Sequence, residues 1–227
     1  MSIHNNLEKY RKILKKYGAK LIAVSKTKPK ADLLQAYEAG QRDFGENKVQ
    51  ELADKAETLP KDINWHMIGH LQRNKVKYIA PFVNLIHSVD SIRLLKEINK
   101  QAVKNSRVID CLLQVYIAQE ETKFGFSETE LKEFLLSEAF AALKNIRIVG
   151  LMGMATNTSD ENQIRSEFKQ LKSISGQLKV ELSSEVITLT ELSMGMTSDY
   201  QIALEEGSTM VRIGSAIFGA RNYNPEV

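Results

Sequence analysis

The feature that most restricts the fold of this chain is a repeat of pattern. Short apolar runs alternate with longer amphipathic stretches, giving eight strand candidates: "KLIAVSK" (20–26), "RDFGE" (42–46), "NWHMIG" (64–69), "NLIHSVD" (84–90), "DCLLQVYI" (110–117), "RIVGLMGMAT" (147–156), "VITLTELSM" (186–194) and "MVRIGSAIFG" (210–219). Strands that alternate with helices imply a parallel sheet. Eight such units in 227 residues predict an α/β fold of the closed (β/α)8 TIM-barrel type, with an open doubly wound sheet as the alternative.

The intervening stretches carry helix signals. Ser127 and Glu130 have capping-box spacing ahead of Leu131, Phe134, Leu135 and Ala139. Ile164, Phe168, Leu171 and Ile174 follow Asp160 at helical spacing, and Ile92, Leu95, Ile98 and Ala102 follow Asp90 and Ser91. Leu7, Tyr10, Leu14 and Tyr17 mark an extra helix before the first strand, and Gly40 and Gly207 stand where helices should stop. No linker or low-complexity tract interrupts the pattern, so residues 1–227 are read as one barrel domain.

Bulk properties narrow the function classes. The 31 basic and 28 acidic residues leave a net charge of +3, too balanced to argue for nucleic acid. The single cysteine, Cys111, sits in an apolar run, so the chain holds no internal disulfide framework. The four histidines show no metal-ligand spacing. The N-terminus is polar and amphipathic, without a signal-peptide core, and no apolar stretch is long enough to cross a bilayer. A cytoplasmic protein is expected.

In a barrel, functional residues lie at the C-terminal ends of the strands, and phosphate often sits in the loops after strands seven and eight. Lys26 ends the first run. An amine near low-dielectric walls has its charged form disfavoured, and a neutral amine can attack an aldehyde to form a Schiff base. Lys28 lies outside the strand before Pro29 and is read as solvated, and Lys30 as a helix-start surface residue. Asn47 follows the second run, either at the mouth or as a helix cap. His66, beside Trp65, reads as a hydrogen-bonded core residue, Met152 and Met154 as apolar walls, and Gln72 and Asn74 as mouth amides or simple loop.

The segment "LSMGMTSDYQ" (192–201) is the most informative loop. Ser198 to Gln201 reads as a capping box, and Asp199 in its first turn argues against an anion there, which moves the anion towards Ser193, Met194 and Gly195. Arg212 is a cation inside an apolar strand, costly unless paired. Gly214 and Ser215 add backbone and hydroxyl donors. A lysine for a carbonyl, a phosphate cradle opposite and an arginine between fit two ligands: pyridoxal 5′-phosphate, or a phosphorylated sugar handled by a Schiff-base aldolase. The physics leaves both open.

Nearly end to end, the chain resembles the pyridoxal-phosphate homeostasis protein family. The resemblance rests on "AVSKTKP", "GQRDFGENKVQE", "WHMIGHLQRNK", "IHSVD", "KFGF", "GLMGMA" and "LSMGMTSDYQIALEEGSTMVRIGSAIFG". It implies a barrel like the N-terminal domain of alanine racemase. It also implies pyridoxal phosphate on Lys26, phosphate contacts from Ser193, Met194, Gly195, Gly214 and Ser215, Arg212 facing the pyridine nitrogen, and Asn47 near the ring. The small departures, Thr122 and Ser215, each keep a hydroxyl. The function implied is a cofactor carrier that buffers pyridoxal phosphate and supplies apo-enzymes, expected as a monomer. The competing reading is an amino-acid racemase; an aldolase is third. Racemisation needs a base on each face, and a chain ending at Val227 is expected to lack the second domain that alanine racemase uses for one.

Overall fold

The computed structural model describes residues 2–119 and 125–220, so Thr122 lies outside the described residues. Eight parallel strands close into a barrel in sequence order, β8 returning to β1. They are β1 (Lys20–Val24), β2 (Asp43–Glu46), β3 (Asn64–Met67), β4 (Leu85–Val89), β5 (Ile109–Gln114), β6 (Ile146–Met152), β7 (Ile187–Met196) and β8 (Met210–Ile213). The expected closed barrel is therefore the one formed.

The helices follow the strands as the spacing predicts. α1 (Ile3–Lys15) precedes β1 and buries Leu7, Tyr10 and Leu14. α2 (Lys30–Glu38) and α3 (Val49–Thr58) follow β1 and β2. A 3-10 turn (Arg73–Lys75) and α4 (Val76–Ile79) follow β3, and α5 (Ile92–Lys104) follows β4. α6 (Glu128–Leu135) and α7 (Glu138–Ala141) precede β6, α8 (Glu161–Leu182) and α9 (Tyr200–Glu205) flank β7, and α10 (Ser215–Phe218) follows β8. The capping box at Ser127 and Glu130 forms in both halves, and Ser91 and Asp160 cap α5 and α8. Gly40 and Gly207 adopt positive φ just beyond α2 and α9, as a helix stop requires.

Strand alternation divides the core in two. Outward residues such as Phe44, Trp65, Ile86, Leu113 and Val211 join the helices in one large cluster. Ile22, Leu85, Leu112, Val149, Met152 and Met210 form a second, inside the barrel. The interior is not wholly apolar: His66, His87, Ser193 and Arg212 are also buried, on β3, β4, β7 and β8.

Two boundaries differ from expectation. The run 210–219 is strand only to Ile213 and then turns into α10. β7 runs on to Met196, and its pairing is irregular: residues 188–190 oppose the single Val149 between the pairs Ile148–Ile187 and Gly150–Glu191. Leu189 in that bulge has φ 46°, a left-handed conformation that a branched side chain rarely adopts. The bulge brings the Glu191 carbonyl against Gly150, where a Cβ would overlap it. Gly150→Ala should therefore displace β7 and cost about 1–3 kcal/mol, the usual range for overpacking. A urea midpoint unchanged from wild type would show that the two strands separate there freely.

Candidate functional site

At the C-terminal mouth of the barrel lies a cavity of about 440 Å³. Lys26, Asn47, Arg212, Gly214 and Ser215 all line it, although they come from the ends of three different strands. The apolar wall includes Met154, as expected, and Ile68.

Lys26 stands just past β1, which ends at Val24, in a turn held from beneath by buried ions. Thr27 has φ 63°, an outlier for a β-branched residue, and its N–H donates to Glu51 Oε1 at 2.6 Å. The Ser25 hydroxyl donates to Glu46 Oε1 at 2.6 Å. Lys55, buried on α3, donates to Ser25 O at 2.8 Å, Glu46 Oε1 at 2.8 Å and Glu51 Oε1 at 2.7 Å. Burial pushes the Glu46 carboxyl up, and the Lys55 ammonium and Ser25 hydroxyl pull it back. The backbone on both sides of Lys26 is thus tied to one charged cluster, so the amine projects from a fixed turn.

Lys28 is not a solvated loop residue. Its ammonium donates to the carbonyls of Phe218, Gly219 and Ala220 at 3.1, 3.0 and 2.8 Å. It closes the C-terminal end of α10, and its stem lines the cavity. Lys30 is as expected, at the start of α2 and paired with Asp54 at 3.0 Å.

Arg212 is buried at the base of the cavity. Nη1 donates to Ser193 O at 2.7 Å and Ser193 Oγ at 2.6 Å, and Nη2 to Gly153 O at 3.2 Å. Burial pulls its pKa down to about 10, with Asp199 opposing, so it stays charged at neutral pH. Ser193 and Met194 are fully buried and stand behind the cavity wall. Gly195 has φ 92°, and a Cβ there would sit 2.5 Å from Ala203 Cβ, so its glycine serves the packing of α9 on β7. The wall is lined instead by the next three residues, Met196, Thr197 and Ser198. The expected Ser198 cap does not form. Asp199 holds the N-cap position, and its carboxylate accepts the Met196 N–H at 2.5 Å. Asn47 caps no helix: α3 begins at Val49 after Lys48, without a side-chain cap. His66 is a hydrogen-bonded core residue, as read.

Comparison with known proteins sets this geometry in a family. The family model of the alanine racemase N-terminal domain matches residues 1–222. The chain is 41% identical over 223 residues to the pyridoxal phosphate homeostasis protein of Aquifex aeolicus, covering 96% of each. The chain belongs to the pyridoxal phosphate homeostasis protein family. Another homeostasis protein, that of Escherichia coli, is 37% identical over 90% of this chain and 86% of its own. PipY of Synechococcus elongatus PCC7942 has been solved without and with PLP bound. Both structures are 35% identical to this chain, with TM-scores of 0.89 and 0.85, covering 96% of this chain and 100% of theirs.

Proposed function

We propose that this chain binds pyridoxal 5′-phosphate in the C-terminal mouth, with Lys26 as the covalent anchor, and that it acts as a carrier. The observation that supports this most is that a single cavity joins Lys26 to Arg212, Gly214 and Ser215. Its volume of about 440 Å³ lies in the range of small-ligand sites. The donor set suits the group. Lys26 offers an amine, Arg212 offers N–H donors only, and Ser215 offers a hydroxyl at the first turn of α10, where helical N–H groups lack intrahelical acceptors. Gly214 lies against β1, where a Cβ would press on the Val24 carbonyl at 3.0 Å. Just beyond Ser193, Met194 and Gly195, where the anion is expected, Met196, Thr197 and Ser198 also line the cavity.

When bound, pyridoxal phosphate supplies an aldehyde and an electron-withdrawing ring. This chain's residues hold more than they activate. Arg212 keeps its proton, so it can donate towards a ring nitrogen without protonating it, which leaves the ring a weak electron sink. Lys28, the other amine on the wall, is committed to three carbonyls and makes a poor second base. The recipients are apo-enzymes that need this cofactor, and the carrier is a cytoplasmic monomer.

The test is spectroscopic and chemical. Protein loaded with pyridoxal phosphate should be yellow, and borohydride followed by peptide mapping should place the cofactor on Lys26. Lys26→Ala should lose the adduct, while Lys28→Ala keeps most of it. Incubation with single amino-acid enantiomers in deuterated water should give negligible exchange at the α-carbon. Rapid exchange with racemisation, lost in Lys26→Ala, would replace the carrier with a racemase.

A further inference from the structure

Beneath the cavity, a file of hydrogen bonds crosses the inside of the barrel. Arg212 Nη1 lies 2.6 Å from Ser193 Oγ, which lies 2.8 Å from His87 Nδ1. His87 Nε2 lies 2.9 Å from His66 Nδ1, and His66 Nε2 lies 3.1 Å from Asp43 Oδ1. Arg212 faces the C-terminal mouth, whereas Asp43 opens β2 at the other end. There His66 lines a second cavity of about 330 Å³ with Lys20, Asp110, Arg147 and Glu191.

The ends fix the direction of every proton in the file. A carboxylate only accepts, so His66 Nε2 carries a hydrogen. Burial keeps both rings neutral, which makes His66 Nδ1 an acceptor and His87 Nε2 a donor. His87 Nδ1 then accepts from the Ser193 hydroxyl, whose lone pairs face Arg212. A guanidinium only donates, so the far end demands the same direction. The file closes from either end with one tautomer for each ring and no unmatched donor or acceptor.

We propose that Asp43, His66, His87 and Ser193 are positioning residues that hold Arg212 in the orientation it presents to the cofactor, and that they carry the charge at the opposite mouth to it. A hydrogen-bonded file inside a barrel polarises along its length, so a change at one end alters donor strength at the other. The rings are faced by Lys20 from β1, Asp43 from β2, Asp110 from β5, Arg147 from β6, Glu191 from β7 and Arg212 from β8, so the interior field has both signs. The part of this that concerns the cofactor rests on the proposed function; the file itself does not.

The test therefore has two arms. In ligand-free protein with labelled histidine and arginine, nitrogen-15 spectra at about pH 7.5 should show His66 and His87 as neutral Nε2–H rings, with Arg212 Nη signals individually resolved. Ser193→Ala should collapse those Arg212 signals, and Asp43→Leu should shift them from across the barrel. In protein loaded with pyridoxal phosphate, both variants should shift the absorbance maximum, while Asp54→Asn on the surface should not. An Nδ1–H or imidazolium form at either ring, or Arg212 signals unmoved by both variants, overturns the proposal. If wild type takes up no pyridoxal phosphate, the proposed function fails, and the ligand-free arm decides the file alone.

Discussion

Replacing Lys55 by methionine should destabilise the protein by about 3–5 kcal/mol, the cost of removing one partner from a buried ion pair. Lys55 is buried on α3 against the fully buried Glu46, at 2.8 Å. Methionine fills much of the space but leaves the Glu46 charge without its cation, the Ser25 carbonyl with only the Lys28 N–H, and Glu51 with only the Thr27 N–H. The Glu46 carboxyl, already raised by burial, would rise further, so the deficit should shrink as the pH falls and Glu46 takes up a proton. Adding Glu46→Gln should recover part of the loss, because the buried charge is then gone. Urea midpoints for the two single variants and the double variant close the cycle. Additive losses would mean that the two groups act independently. The turn around Lys26 is tied to this cluster, so Lys55→Met should also lower the yield of the borohydride-fixed adduct.

Acid should unfold the protein earlier than an ordinary globule of this size. His66 and His87 are buried, and burial pushes both rings below their ordinary value of 6.5. They stay neutral in the folded state while the unfolded chain gains protons as the pH drops through 6.5. The unfolded state then binds more protons, so stability present above pH 6.5 is lost below it. Two such groups give a slope of up to about 2.7 kcal/mol per pH unit, against a total stability of about 5–15 kcal/mol. Glu46 and Asp199 act the other way, because their raised carboxyls take up protons first in the fold as the pH approaches the carboxylate range. Asp43, held below its ordinary value mainly by its hydrogen bond to His66 against the opposing effect of burial, loses its contribution only at still lower pH. The clean window is therefore just below pH 6.5. There, urea midpoints should fall steeply for wild type and about half as steeply for His87→Phe. A flat profile from pH 7 to 5 would mean that the interior admits protons without opening.

The barrel was legible because period, caps and glycine stops agreed along the chain. Ser127 with Glu130, Asp160, Gly40 and Gly207 each act locally, within a turn of their own position. Lys26 and Arg212, which strand-end logic and the oddity of a cation in an apolar strand single out, line one cavity. What was missed depends on register or on distant partners. The anion is expected at Ser193 to Gly195, and the residues of that segment that line the cavity are Met196, Thr197 and Ser198; Ser193 instead bonds Arg212 inside the barrel and Gly195 packs under α9, contacts that no local pattern shows. Lys28 looked solvated because its acceptors, the carbonyls at the end of α10, come from the other end of the chain. Nothing in the sequence sets Lys55 apart from other lysines on an amphipathic helix, because its partner Glu46 lies on β2. His66 was read correctly as a core residue, but its partners lie on β2 and β4, and no local pattern pairs them.

The pairing of β8 with β1 has a consequence for the order in which the molecule comes into being. Lys26 follows β1, and Arg212 lies within β8. Asn6 of α1 also bonds to the Ile217 carbonyl, 211 positions away. A chain made from its N-terminus thus carries the lysine early and the rest of the pocket only at the end. Closure needs the most distant contacts in the sequence, which form slowly. A nascent chain on the ribosome can present Lys26 but not Arg212, Gly214 and Ser215, which share its cavity. Under the proposed function, selective uptake of pyridoxal phosphate marks a finished molecule, and Lys26 in a chain truncated before β8 should react with it as an exposed lysine does in solution.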